Sequence, residues 1–429
     1  MVVKLQWEVI LILVKAGPKY EDQYPKGVSH FLEKLAFHSC SEFDDINDYL
    51  QQKDYPSPAI ECQRARDFIM YASFGLAANS SDLVKILASS VLQPKLLDDE
   101  VDFARKMISN ELLVQTLQPP VDPVLNDLLL RTAYGNKHLG YPQFCPEKNI
   151  ATITRSDLQR FMHQFYRPER MTLIGVGIDH DTLLQSAQDN FFPWKPSFAQ
   201  AQDSPVVDET EFASVYTGGS ATLERDLKQY HAPLPEMAHL GLGFEGPSTE
   251  DIKSYVCMNV LQSLLGGGGS FSAGGPGKGM YSRFYTEVLN NFYWVNSCQA
   301  LSHPYKDSSV FMVQASCEPE MLDKLVGVVI RELRTLEMVL PSLSDNDLNR
   351  AKSHLKSLFL MSLEMKPVLF EDLGRQLLHK DKKPPVEEWI ECIKSSTREQ
   401  LRDVLHKMLQ SNPTVVGYGK CQNFPDYEE

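Results

Sequence analysis

The sequence predicts an α+β protein of two related halves joined by a linker. Three observations lead there. Strand-like and helix-like stretches are mixed along the chain without a regular βαβ alternation. A pattern of helix starts recurs weakly in the two halves. Between them, from about Pro193 to Glu211, hydrophobic periodicity disappears. The segment Trp194-Lys195-Pro196-Ser197-Phe198-Ala199-Gln200-Ala201-Gln202-Asp203-Ser204-Pro205 has a linker's composition. The halves are placed at residues 1–192 and 213–429, with 193–212 between them.

The elements follow in order. Val9–Val14 is an apolar run flanked by Glu8 and Lys15. It is too short to span a membrane and lacks a small-residue cleavage site, so it reads as a buried strand. Gly17-Pro18 signals a turn, and a helical pattern runs from about Val28 to Phe37. Leu83–Leu92 and Asp98–Leu117 read as amphipathic helices. Asp98, Asp99 and Glu100 lie in the first turn of the second, where the helix dipole favours acids, and Pro119-Pro120 stops it. Ser156–Phe165 is a helix opened by Thr154-Arg155-Ser156-Asp157; Met171–Val176 is a strand ending at Gly177; a helix follows from about Asp181 to Phe191. In the second half His239–Phe244 and Ser309–Ser316 read as strands, and Met258–Leu265 and Tyr281–Leu289 as apolar helix. The repeat pairs Asp99-Glu100-Val101-Asp102-Phe103-Ala104-Arg105 with Asn346-Asp347-Leu348-Asn349-Arg350-Ala351-Lys352. Each opens a long helix followed by a proline-marked turn, at Pro123 and at Pro367, and a further helix.

Composition narrows the function. The chain has 429 residues, 43% hydrophobic and 23% charged, with a net charge of -14. That charge argues against nucleic acid and anionic membrane surfaces as partners. It suits cationic partners, although solubility alone accounts for a modest acidic excess. The eight cysteines are spread out with no CxxC pair, which removes zinc-ribbon and thioredoxin-like sites and fits a reducing compartment. No Arg/Ser-rich transit peptide is visible.

Two motifs carry chemistry. In His30-Phe31-Leu32-Glu33-Lys34, positions 30, 33 and 34 share one helical face. The inverted zinc motif H-x-x-E-H uses that face, with two histidines on the metal and the glutamate as base toward metal-bound water. Here Lys34 takes the second histidine's place, and a protonated amine repels a cation instead of ligating it. His38 lies roughly 12 Å further along a helix axis, too far to substitute. A solvated face with an ordinary ion pair is the alternative. The second motif is Gly266–Gly279, with eight glycines in fourteen residues: Gly266, Gly267, Gly268, Gly269, Gly274, Gly275, Gly277 and Gly279, interrupted by Ser270, Phe271, Lys278 and others. Such a run is mobile and can bring bare backbone against a ligand. The P-loop spacing fails at Ser272 and Gly279, and the dinucleotide-binding spacing fails too. A flexible linker remains open, yet apolar helix on both sides places the run within a domain.

The stretch Leu264–Tyr285 resembles the glycine-rich loop of the α-subunit family of mitochondrial processing peptidase, non-catalytic members of the pitrilysin/insulinase-type metallopeptidases. His30–Phe37 resembles that family's version of the zinc motif, lysine included. Phe144-Cys145-Pro146, Arg170-Met171, Tyr216-Thr217-Gly218-Gly219 and Phe370-Glu371-Asp372-Leu373-Gly374-Arg375-Gln376 match as well, so the resemblance runs from about Tyr20 to Pro413. It implies two pitrilysin-type domains, with Glu111 at the distal-ligand position of a degenerate set His30, Glu33, Lys34 and Glu111. It implies no metal or cofactor in this chain and zinc in a partner β subunit. It further implies a matrix heterodimer whose glycine-rich loop binds basic presequences of imported precursors. Glu364, Glu371 and Asp372 match acidic family positions and are candidates for pairing presequence arginines, though they also fit plain helix-surface acids. A structural core protein of respiratory complex III is the alternative, and Lys34 weighs against an active peptidase. The chain departs from the family by starting just before the first strand, with no further strand ahead of Val9, and by Asp54–Ile60 in place of a glycine-containing turn and strand. An exposed sheet edge in the first domain is the expected consequence.

Overall fold

The computed structural model describes residues 7–53, 60–76, 79–117, 120–191, 207–227, 236–269, 280–365, 369, 372–377 and 385–425. These form two compact units, one of residues 1–114, 141–213 and 362–383, the other of 115–140, 214–361 and 384–429.

The first half of the chain gives β1 (Trp7–Val14), α1 (Val28–Lys34), α2 (Ile46–Gln52), β2 (Ile60–Arg64), β3 (Ile69–Leu76), α3 (Ser80–Leu92), α4 (Asp98–Leu117), α5 (Val121–Ala133), α6 (Glu147–Ile150), α7 (Arg155–Phe165), β4 (Met171–Val176) and α8 (His180–Phe191). The first unit's described strands form one sheet in the order β2-β3-β1-β4, antiparallel throughout. β1 is central and buried on both faces. Ile10, Ile12 and Val14 meet Phe31, Leu83, Leu87 and Phe161 on one side; Val9, Leu11 and Leu13 meet Met70, Ile174 and Leu373 on the other. A strand covered twice needs apolar residues at every position, which is why its sequence reads as a continuous run.

The second half gives β5 (Gly219–Glu224), β6 (Ala238–Gly246), α9 (Ile252–Leu265), β7 (Gly267–Gly269), β8 (Val295–Pro304), β9 (Ser309–Cys317), α10 (Leu322–Val339), α11 (Asp345–Glu364), helices Val386–Ser395 and Arg398–Gln410, and β10 (Thr414–Gly419). Its sheet runs β5-β10-β6-β9-β8-β7, with β5 and β10 parallel and the other pairs antiparallel. The repeat expected from the helix starts is real. β8-β9-β6-β10 copies β2-β3-β1-β4, α4 and α11 are both 20 residues long, and the α-helix nearest ahead of β4 and that ahead of β10 open on matching capping boxes at Thr154 and Thr397.

The units are not the contiguous intervals 1–192 and 213–429. α5, from the first half, belongs to the second unit, where Leu125, Leu129 and Leu130 pack with Val310, Met312 and Val416. Residues 372–377, from the second half, are helical and belong to the first. Glycines permit both dockings. A Cβ at Gly241 or Gly243 would lie 3.2 or 3.3 Å from Leu129 Cδ1, and one at Gly374 would lie 2.5 Å from Leu13 Cδ1. Residues 207–212, assigned to the linker, also join the first unit: Phe212 is in its core, and Glu209 pairs with Arg170, whose guanidinium lies over Tyr20. The rest of the linker, 192–206, and residues 54–59 lie outside the described residues.

Other differences are local. α1 stops at Lys34, not Phe37, because Phe37 takes a left-handed φ of 61° that no helix can hold. The predicted helix at Tyr281–Leu289 is a π-helix over Phe284–Leu289.

Candidate functional site

α1 carries the degenerate motif, and its start is held by a buried acid. The Glu21 carboxylate accepts the backbone N–H groups of Gly27 and Ser29, both at 2.7 Å, satisfying donors that the helix leaves open. Gly27 has φ 108°, and a Cβ there would lie 2.4 Å from Cys145 Sγ. Gly27→Ala is therefore expected to cost about 2–4 kcal/mol through backbone strain and overpacking, read as a lower urea midpoint.

His30 is fully buried. The Cys145 N–H donates to His30 Nδ1 at 3.2 Å, so Nε2 carries the proton and donates it to Glu111 Oε2 at 3.3 Å. Burial pushes the His30 pKa down, which keeps the ring neutral in that tautomer. Lys34 Nζ lies 2.8 Å from Glu111 Oε2 and 3.1 Å from Glu33 Oε1. The His30 hydrogen bond, helped by Lys34, holds the Glu111 carboxyl down at about 2. Burial works against the Lys34 charge, yet Glu111 and Glu33 together hold its pKa above the ordinary lysine value. From β2, Arg64 Nε lies 2.9 Å from Glu33 Oε2.

His30, Glu33, Lys34 and Glu111 are thus brought together as their spacing and the resemblance implied. The solvated-face alternative fails, because His30 has no exposure. His38 stands apart, its Nε2 3.2 Å from the Lys34 carbonyl and its ring against Phe103. Sequence reasoning missed Arg64, since nothing in local spacing connects it with Glu33 across 31 positions.

This donor set does not fit zinc. A metal at Nε2 would have to displace the proton that the Cys145 contact places there. An ammonium fills the second ligand position, and both carboxylates are engaged by cations. Among the described residues, no three His, Cys, Asp or Glu side chains are grouped to hold a metal ion.

The glycine segment begins differently from a mobile run. Gly266–Gly268 take positive φ values, and Gly267–Gly269 pair as an edge strand with Ser297–Gln299 of β8. The Gly267 N–H donates to Ser282 Oγ at 3.0 Å, and Gly266 O accepts from Ala300 N at 3.0 Å, so the segment leaves a fastened neck. A cleft of about 180 Å³, lined by Tyr281, Ser282, Arg283, Glu287, Asp347 and Arg350 among others, lies beside that neck. Ser270, Phe271, Gly274, Gly275, Gly277, Lys278 and Gly279 lie outside the described residues, as does Glu371. Glu364 is exposed at the end of α11, and the half-buried Asp372 accepts the Gln376 amide at 2.8 Å.

Residues 9–147 match the family model for insulinase (peptidase family M16), and residues 152–355 match that of the peptidase M16 inactive domain. The chain therefore belongs to peptidase family M16. In fold it is similar to a protease from Helicobacter pylori, with a TM-score of 0.79 at 17% identity over 96% of this chain and 94% of that one. Mitochondrial-processing peptidase subunit alpha of Homo sapiens is 35% identical over 426 residues, covering 99% of this chain and 80% of its own. The subunit of the same name from Caenorhabditis elegans is 34% identical, with 97% and 81% covered. Within M16, this chain belongs to the family of those α subunits.

Proposed function

We propose that this chain is the non-catalytic, substrate-recognition subunit of a mitochondrial processing peptidase. It works in the matrix beside a zinc-bearing β subunit and binds the basic presequences of imported precursors. The observation that carries this reading is Glu111, held between His30 and Lys34 in a chain 35% identical to a processing-peptidase α subunit along almost its whole length. Such a site offers no place to activate water, so the chain's contribution is binding and orientation. The acidic balance of -14 suits a cationic peptide, and Glu364, Glu371 and Asp372 are the carboxylates proposed to pair with its arginines. The proposed flap is the glycine-rich loop Gly266–Gly279, whose described start is fastened at Gly266 and Gly267. The similar proteins do not favour the respiratory complex III alternative, since they carry the processing-peptidase name. No helix among the described residues is long and apolar enough to cross a membrane.

The test is a labelled presequence peptide titrated into the full chain, alone and with a β subunit. Binding by the isolated chain should weaken steeply with salt and leave the peptide intact. Removing residues 270–279 should weaken binding at least about tenfold, with assembly of the pair unchanged. Binding indifferent to that deletion would sink the flap reading.

A further inference from the structure

The cluster around α1 contains more positive charge than a missing ligand requires. Lys34 alone accounts for the lost histidine. Arg64 comes from a different element, and its side chain is 3% exposed. It is anchored at several points. Nε donates to Glu33 Oε2 at 2.9 Å, Nη1 donates to the Gln143 carbonyl, and the Gln143 amide donates back to the Arg64 carbonyl at 3.4 Å. The backbone of Arg64 sits in the sheet opposite Ile69 of β3. A lysine can give up its proton to accommodate a cation, whereas a guanidinium stays charged at any pH a protein survives. Arg64 cannot leave without giving up its ion pair with Glu33 and the Gln143 carbonyl.

We propose that two independent cations, Lys34 and Arg64, keep this site free of metal, so that Lys34→His alone does not create a zinc site. With histidine at position 34, a dication drawn to His30 and Glu111 would still approach the fixed charge of Arg64, and Glu33 would still be engaged. The two monovalent cations leave the carboxylates of Glu33 and Glu111 balanced, and the cluster joins α1, α4 and β2 through ion pairs. The site is therefore rebuilt as a structural plug, and more than one substitution separates it from metal binding.

The test compares the full-length chain with Lys34→His, Lys34→His/Arg64→Gln and Lys34→His/Arg64→Met. Zinc stoichiometry after dialysis and the visible spectrum of bound cobalt are the readouts, with circular dichroism confirming the fold. Glutamine keeps a donor for the Gln143 carbonyl and methionine keeps the stem, so the two replacements perturb folding differently. All variants keep the Cys145–His30 contact and share the cost of displacing the Nε2 proton, so the comparison isolates Arg64. The double variants should bind zinc at least about tenfold more tightly than Lys34→His, toward one equivalent. Equal behaviour of the single and double variants, whether both bind or neither does, would overturn the assignment.

Discussion

Gly267→Val should peel β7 away from β8 and raise the KM of the reconstituted peptidase for a presequence at least about tenfold, with heterodimer assembly intact. The backbone at this position has φ 108°, which a β-branched residue cannot adopt without strain. A Cβ would stand 1.9 Å from the Cys298 carbonyl oxygen and 2.8 Å from Gln299 Cα. Both neighbours are backbone atoms of β8, itself paired to β9, so neither can retreat cheaply. Strain of about 1–3 kcal/mol and the lost edge hydrogen bonds, about 1 kcal/mol each, together exceed what a three-residue strand can hold. Faster amide exchange across Ser297–Gln299 reports the detachment directly. The change in KM then tests whether the segment's anchorage matters for substrate. Gly268→Ala is the milder comparison: it shares the backbone strain, at φ 156°, but a Cβ there meets nothing within 4 Å, so its effect should be smaller.

The second large effect is a loss of stability in acid through Glu111. Its carboxyl sits at about 2 in the folded chain against an ordinary 4.5. A depressed carboxyl contributes stability that is present above about pH 4.5 and drains away as pH falls toward 2. The full shift would be worth about 3 kcal/mol, and the group's 31% exposure reduces that to about 1–2 kcal/mol. His30 adds to the trend with the same sign, because its lowered pKa means that charging it below the ordinary histidine range favours the unfolded chain. Lys34→Met removes one of the partners that hold Glu111 down. Urea unfolding should therefore separate the variant from the parent by about 1 kcal/mol at pH 7, with the gap closing near pH 2–3. A gap that does not change with pH would mean that Lys34 stabilises by packing alone.

What the sequence made legible followed physical locality. β1 could be read because a strand covered on both faces is apolar throughout, and α4 because its first-turn acids match the dipole over a long period. β7 was invisible, since three glycines have no side-chain pattern and only their backbone pairing defines the strand. The allegiance of α5 to the second sheet and of 372–377 to the first is a tertiary choice, made by Leu129 fitting against Gly241 and Gly243 and Leu13 against Gly374. At the site, helical spacing gathered His30, Glu33 and Lys34, and only the family resemblance pointed to Glu111. The Cys145 N–H that sets the His30 tautomer and the Arg64 that takes Glu33 arrive from distant segments. The first fixes the protonation of His30, and the second adds a fixed cation to a motif that already lacks one ligand.

The most direct measurement of this account is the zinc content of the purified chain alone and of the heterodimer. The account predicts no bound zinc in the isolated chain and one zinc per heterodimer, lost when the partner's metal-binding residues are replaced and retained in Glu111→Gln of this chain. Stoichiometric zinc in the isolated chain, removed by Glu111→Gln, would contradict it.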